Sequence, residues 1–184
     1  MSKEQRTVEP ASDRFVEHIA GLDPGARAAL RRSLAFKPGT WPGAFPYVEP
    51  WVGASSNWER QVAYLVAGLQ AHSRAERSYK DLGAAAQALQ AATGSDSVET
   101  RFLVVLDADA DQLPHRLRQM ISLMNSQGVA PAWSQLRKDL NRWRTEERWV
   151  QQRWARSYYT RPTSVADDTD EAASSSHFES GEKR

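Results

Sequence analysis

The chain contains no cysteine among its 184 residues, which excludes disulfides, zinc–thiolate sites and thiol nucleophiles. It also lacks long apolar runs. The most strongly apolar stretch, Phe102 to Leu106, is far shorter than the roughly 20 residues a membrane-spanning helix needs. The opening residues Met1-Ser2-Lys3-Glu4-Gln5 carry no apolar core of a signal peptide. The reading is a soluble, cytoplasmic protein with no membrane partner. Histidine is scarce and scattered: His18, His72, His115 and His177 never fall in His-x-x-x-His spacing, so each reads as a surface or packing residue. No Gly-x-Ser-x-Gly elbow, Walker loop or dinucleotide fingerprint is present.

One acidic motif imitates a metal site. Asp107-Ala108-Asp109-Ala110-Asp111 looks like the start of a calcium loop, but such a loop needs glycine at its sixth position and glutamate at its twelfth. Gln112 and Arg118 stand there instead. A metal-dependent nuclease built on Asp107, Asp109 and Asp111 is a remote alternative, since no carboxylate–histidine cluster accompanies them. The expectation is therefore no catalytic residue, no metal, no cofactor and no enzyme.

What the chain does have is helical periodicity. Val62, Leu65, Val66 and Leu69 fall at i, i+3, i+4 and i+7. Leu113, Leu117, Met120, Ile121 and Met124 repeat the pattern, with Gly128 as a stop. Asp13, Asp23-Pro24 and Ser56 or Asn57 mark helix starts. Asp111 caps the helix that carries Pro114, Pro131 opens another through Trp143, and a last helix covers roughly Glu146 to Tyr159. Residues 37–53 are punctuated by proline and glycine and read as an irregular connection whose aromatics pack on the core. The fold class is all-α: a single bundle of about seven or eight helices over residues 13–160, with a flexible N-terminus (1–12) and a disordered acidic C-terminal tail (161–184).

Charge is unevenly spread. The net charge is +1, yet residues 165–184 hold six acids and two bases, so residues 1–164 carry 22 bases and 17 acids. Up to residue 164 there are four lysines and eighteen arginines. Arginine's planar fork suits phosphate oxygens. At about 100° per residue, Trp133, Leu136, Leu140 and Trp143 form an apolar stripe, with Lys138 and Arg142 opposite and Arg137 and Arg144 flanking it. Val150, Trp154 and Tyr158 form the next stripe, with Arg148, Arg153 and Arg156 on the reverse face. Trp149 sits among those arginines, either as a contact for a base, ribose or partner protein or as a ring packed under a neighbouring helix. Arg27 and Arg31 stack at i, i+4 with Arg32 further round. Arg116 and Arg118 flank Leu117, and Arg101 precedes Phe102. These side chains are the candidate nucleic-acid contacts, expected to hold backbone without reading sequence. The acidic run Asp167 to Glu171 is expected to compete with nucleic acid for the same faces.

The order of several segments resembles a known family. Leu30-Arg31-Arg32-Ser33, the loop from Trp41-Pro42 to Pro50-Trp51, Leu82-Gly83 and Glu99-Thr100-Arg101-Phe102-Leu103 carry the resemblance. So do Asp107 to Asp111, Leu113-Pro114-His115-Arg116-Leu117-Arg118, Trp133, Asp139-Leu140 and Arg142-Trp143. Together they resemble the CasB-type small subunit of the type I-E CRISPR Cascade surveillance complex, over about residues 13–160. The acidic tail departs from that pattern. The resemblance implies an all-helical, non-catalytic subunit present in two copies, lying against the guide RNA, the backbone subunits and the large subunit. It implies basic surfaces that hold the target and displaced DNA strands of an R-loop, a near-balanced exchange of duplexes that modest contacts can tip. By match to the family, Arg27, Arg31, Arg32, Arg101, Arg116 and Arg118 carry that role. The alternative is a helical protein–protein adaptor whose basic faces meet an acidic partner.

Overall fold

The computed structural model describes residues 13–160. The flexible N-terminus expected over 1–12 and the disordered tail expected over 161–184 lie outside the described residues. Within them run nine α-helices: α1 (Arg14–Ala20), α2 (Pro24–Ser33), α3 (Phe45–Val52), α4 (Asn57–His72), α5 (Leu82–Thr93), α6 (Ser97–Asp107), α7 (Leu113–Asn125), α8 (Trp133–Asn141) and α9 (Trp149–Tyr159). A 3-10 turn (Pro42–Ala44) precedes α3, and two three-residue strands, β1 (Arg77–Tyr79) and β2 (Val129–Pro131), pair in parallel with Arg77 opposite Val129. The all-α class holds.

The organising element is α4. Ser56 opens it with a capping box: its hydroxyl accepts from the Glu59 N–H at 3.3 Å, and the Glu59 carboxylate accepts from the Ser56 N–H at 2.9 Å. Every residue from Val62 to Ala71 is buried, because two apolar clusters share this helix. Ala63, Tyr64, Ala67 and Ala71 face α1, α2 and α3, meeting Phe15, Ile19, Leu30, Val48 and Val52. Val62, Leu65, Val66 and Leu69, the stripe read from the sequence, face α5 to α9. A helix apolar all round belongs inside a protein.

Four details correct the sequence reading. The segment 37–53 is not wholly irregular: it forms the 3-10 turn and α3, which lifts the helix count above eight. Pro46 sits in the first turn of α3, where its missing N–H is harmless, and only Pro50 lies inside it. Val48 and Val52, one turn apart, bury the helix against α4. Glu49 then ties α3 to α4 by accepting from the Tyr64 hydroxyl at 2.6 Å and pairing with Arg60, and these bonds hold its carboxyl below the usual range. Second, the turn before α7 is capped by Asp109 rather than Asp111: its Oδ1 accepts from the Asp111 and Gln112 N–H groups at 3.0 and 2.8 Å. Third, Pro131 ends β2, and α8 starts at Trp133. Fourth, α9 starts at Trp149 instead of Glu146, because Arg148 adopts a left-handed conformation (φ 50°) that cannot continue a helix.

The second cluster is closed by α5 lying on α9. A Cβ placed at Gly83 would come within 2.0 Å of the Trp154 carbonyl oxygen, so the two backbones meet at a distance only glycine permits. This seats Trp154 between α5 and α8, with its indole N–H donating to Asp139 Oδ2 at 2.7 Å.

Candidate nucleic-acid interface

The arginines singled out from the sequence separate into two groups. The first follows the seam between α6 and α7. Arg101 and Arg116 face one another across a groove of about 220 Å³, with Thr100, Val104 and Gln119 between them. Among the described residues neither guanidinium makes an ion pair or a side-chain hydrogen bond. The seam continues into a shallower groove of about 560 Å³ that Arg101 shares with His115, Arg118 and Ser122. Arg118 reaches on to donate to the Leu34 carbonyl at 3.2 Å, so it stands at the junction of α7 with the end of α2.

Beyond Arg118 the strip turns onto the C-terminal end of α4. Arg31 donates to the Ala71 carbonyl at 3.5 Å, a favourable position for a cation beside a helix C-terminus. His72, half-buried, bonds Ser122 Oγ through Nε2 at 3.1 Å. Burial first, and then the nearby charges of Arg118, Arg74 and Arg31, hold its pKa below the ordinary histidine value. Three cations from three elements thus act on one ring, which places Arg31, Arg74 and Arg118 in a common field.

The second group lies on α8, α9 and their connection, and most of it is committed to the chain itself. Arg137 pairs with both carboxylate oxygens of Asp13 at 2.8 and 3.0 Å and lies over the Phe15 ring at 4.6 Å. Arg153 pairs with Asp139, a carboxylate that is 1% exposed. Arg148 donates to the Leu106 carbonyl at the end of α6. Trp149 is half-buried against the core, with Arg142 and Arg153 over its ring at 5.7 and 5.2 Å. Its ring is therefore packed and already holds two cations. Arg137, Arg148, Arg153 and Trp149, all expected as nucleic-acid contacts, are thus engaged within the chain itself. The helical angles for Arg142 and Arg144 also change meaning, since α8 ends at Asn141 and both lie in the turns beyond it. Arg144 lies over Trp58 at 5.6 Å, while Lys138 and Arg156 are exposed on the outer surface.

Arg27 stands apart from both groups. It lines a cleft of about 270 Å³ with Arg77, Gln70 and Trp133. Arg32 is exposed at the end of α2. Sequence reasoning missed Lys37, Arg74 and His115 as members of the basic strip. Arg74 and Lys37 follow helix ends, where no periodicity marks a face, and His115 reads from the sequence as a surface or packing residue.

The three aspartates do not gather. Asp107 ends α6, Asp109 is spent on its turn, and Asp111 lines the cleft beside Pro114. Among the described residues no group of three or more His, Asp or Glu side chains could hold a metal ion. No helix there is long and apolar enough to cross a membrane.

Known proteins share this architecture. The family profile described as CRISPR-associated protein Cse2 matches residues 26–159. A CRISPR-associated protein Cse2 of Thermus thermophilus is 49% identical over 156 residues, which cover 80% of this chain and 89% of the relative. A crystal structure of a Cse2-family protein from Thermus thermophilus superposes with a TM-score of 0.71 at 43% identity, covering 79% of this chain and 96% of that one. CasB from M. ruber gives 0.69 at 35% identity, with 79% and 90% covered. A chain of a CRISPR RNA-guided surveillance complex gives 0.67 at 27% identity, with 79% and 87% covered. With a profile spanning most of the described residues, this chain belongs to the Cse2 family of CRISPR-associated proteins.

Proposed function

We propose that this protein is a non-catalytic subunit of an RNA-guided CRISPR surveillance complex that holds nucleic-acid backbone without reading sequence. The strands held are the target and displaced strands of the R-loop. Its partners are the large and backbone subunits, a second copy of itself, and the guide RNA with its target DNA. Family membership and the likeness to a chain of such a complex support the assembly. The observation that carries the binding role is the α6–α7 seam, where Arg101 and Arg116 line a groove with no internal partner among the described residues. An arginine left unpaired on a surface keeps its full capacity for a bidentate phosphate contact. Arg31, Arg74 and Arg118 extend the same positive strip, and such a field raises the local concentration of an anionic chain.

The test is salt-dependent binding to a single-stranded oligonucleotide by wild type and by the Arg101→Glu/Arg116→Glu pair. Each phosphate contact contributes about −0.7 to the slope of log affinity against log salt for a single strand, so losing two flattens it by about 1.4. Affinity at low salt should fall by about tenfold or more. Stability should stay within about 0.5 kcal/mol, since Arg101 is exposed, Arg116 is half-buried, and neither holds an ion pair among the described residues. Unchanged affinity and slope would remove the seam from the interface.

A second reading has its own observation. Leu103 and Val104, on the outer side of α6 beside Arg101, are 46% and 39% exposed. An exposed apolar pair of this kind suits a protein contact. In that reading α6 is an adaptor surface, and Leu103→Ser, which lies outside the groove, weakens assembly with the other subunits while leaving oligonucleotide binding by the isolated chain intact.

A further inference from the structure

The cleft between the end of α2 and the start of α7 joins an aromatic platform to the basic strip. We propose that it is a nucleobase pocket: one base swung out of a single strand stacks on Phe36 while its phosphate meets Lys37 and Arg118. This rests on the nucleic-acid reading above and deepens it, because it assigns a preference for single strands to one side chain.

The platform is built from the backbone outward. A Cβ at Gly43 would come within 2.3 Å of the Trp41 ring, so the indole lies directly on the glycine. Phe36 stacks on Trp41, with centroids 6.0 Å apart and planes 10° apart, an offset parallel arrangement. Phe36 remains 48% exposed. Two rings are thus held parallel on a glycine floor, and the outer one keeps free surface for a third. The segment carrying them is pinned. The Phe36 N–H donates to the Ser33 carbonyl at 3.0 Å, the Thr40 N–H and hydroxyl both donate to the Lys37 carbonyl, and Arg60 donates to the Gly39 carbonyl at 3.2 Å. A ring fixed in advance stacks on a base without first losing freedom.

The surroundings match a nucleotide in more than one respect. The cleft measures about 440 Å³, within the range of roughly 300–1,000 Å³ typical of small-ligand pockets. Phe36, Leu34, Pro38 and Pro114 give it apolar walls for the faces of a base. Lys37, His115 and Arg118 supply donors for a phosphate, and Arg118 ties the cleft to the α6–α7 seam. Asp111, on the same lining, can accept from an N–H, which every base presents on its pairing edge and a phosphate does not. In a duplex those edges are paired and the faces already stacked, so the pocket takes bases from unpaired strands. An aliphatic side chain from a partner subunit would fill the apolar walls but would bring no anion to Lys37 and Arg118.

The experiment compares the full-length protein with Phe36→Ala and Phe36→Tyr. It measures affinity for a single-stranded oligonucleotide and for a duplex of equal length, and it maps photo-crosslinks from a strand carrying 5-iodouracil. We expect Phe36→Ala to weaken single-strand binding about tenfold, as loss of one base–aromatic stack does elsewhere, with duplex binding unchanged. Phe36→Tyr should retain wild-type affinity, and crosslinks should map to Phe36. Equal losses on both substrates, no loss on either, or crosslinks confined to other residues would overturn the pocket. Weakened association with partner subunits at unchanged single-strand affinity would assign the cleft to protein and overturn it as well. If wild type binds neither substrate, the broader nucleic-acid reading fails. If it binds both and Phe36→Ala matches it, the pocket alone fails.

Discussion

On the α6–α7 flank, Arg101 and Arg116 line a groove and meet no acid among the described residues, and Arg118 donates to the Leu34 carbonyl. On the α8–α9 flank, Arg137 is paired with Asp13, Arg153 with Asp139, and Arg148 with the end of α6. Both flanks are rich in arginine and both arise from amphipathic helices. They differ in what lies opposite the guanidinium group once the chain has folded. A surface arginine facing water costs little and stays available to an anion. An arginine facing a buried carboxylate is needed there, because the unpaired carboxylate would be expensive to keep. Counting arginines on a helix face therefore overstates a binding surface wherever an acid lies beneath it.

The comparison can be broken most forcefully at Asp139. Its Oδ1 accepts from Gln135 at 2.7 Å and pairs with Arg153, and its Oδ2 accepts from the Trp154 indole at 2.7 Å. Asp139→Ala leaves a buried indole N–H and a guanidinium without their acceptor. We expect a loss of roughly 3 kcal/mol in a denaturant unfolding experiment. Single-strand affinity, measured where the variant is still folded, should be unchanged. A variant that keeps its stability but loses affinity would mean that the α8–α9 arginines serve the ligand after all.

How far the sequence reveals this division depends on the range of each interaction. The apolar stripes of α4 and α7 were legible because periodicity is local: Leu113, Leu117, Met120, Ile121 and Met124 are all buried as their spacing requires. The angular reading also placed Trp149 correctly among arginines. It could not show which way those arginines turn. Arg137 finds its acid 124 residues away, and Arg148 finds its carbonyl 42 residues away. The β1–β2 pairing and the α3 helix were hidden for related reasons. The strands are three residues long and pair across some fifty positions, while α3 carries two prolines that argue against a helix until α4 is there to bury Val48 and Val52. The unpaired seam of Arg101 and Arg116 was visible only as two basic residues on separate helices, and its groove exists because α6 packs on α7.

A milder perturbation sharpens the difference through charge alone. Residues 162–184 contain six acids and two bases, so deleting them makes the protein more positive by four charges without touching the described residues. Electrostatic attraction of this kind acts within about 10 Å at 0.1 M salt and further in dilute buffer. We expect single-strand affinity to rise roughly threefold at low ionic strength and the gain to disappear in high salt. In the Arg101→Glu/Arg116→Glu background the gain should shrink, because the seam that profits from it is gone. Equal gains in both backgrounds would mean that the deleted charges act on the whole surface rather than on this strip.

The smallest expected signal is a proton. His72 lies in the field of Arg31, Arg74 and Arg118, and with burial they favour its neutral form. As pH falls through the ordinary histidine value of about 6.5, the unfolded chain takes up this proton before the folded one does, so His72 costs the fold stability on the acid side of that value. A phosphate bound among the three arginines offsets their charge and returns the His72 pKa upward. Binding then takes up part of a proton near pH 6, and by linkage affinity rises as pH falls from 7 toward 6. Arg74→Ala should raise the His72 pKa in the free protein, because it removes one of the charges that lower it. Both shifts can be followed by NMR titration of the His72 ring with and without a single-stranded oligonucleotide. A His72 titration that ignores the oligonucleotide would end the strip at Arg101 and Arg116 and leave Arg118, Arg74 and Arg31 outside it.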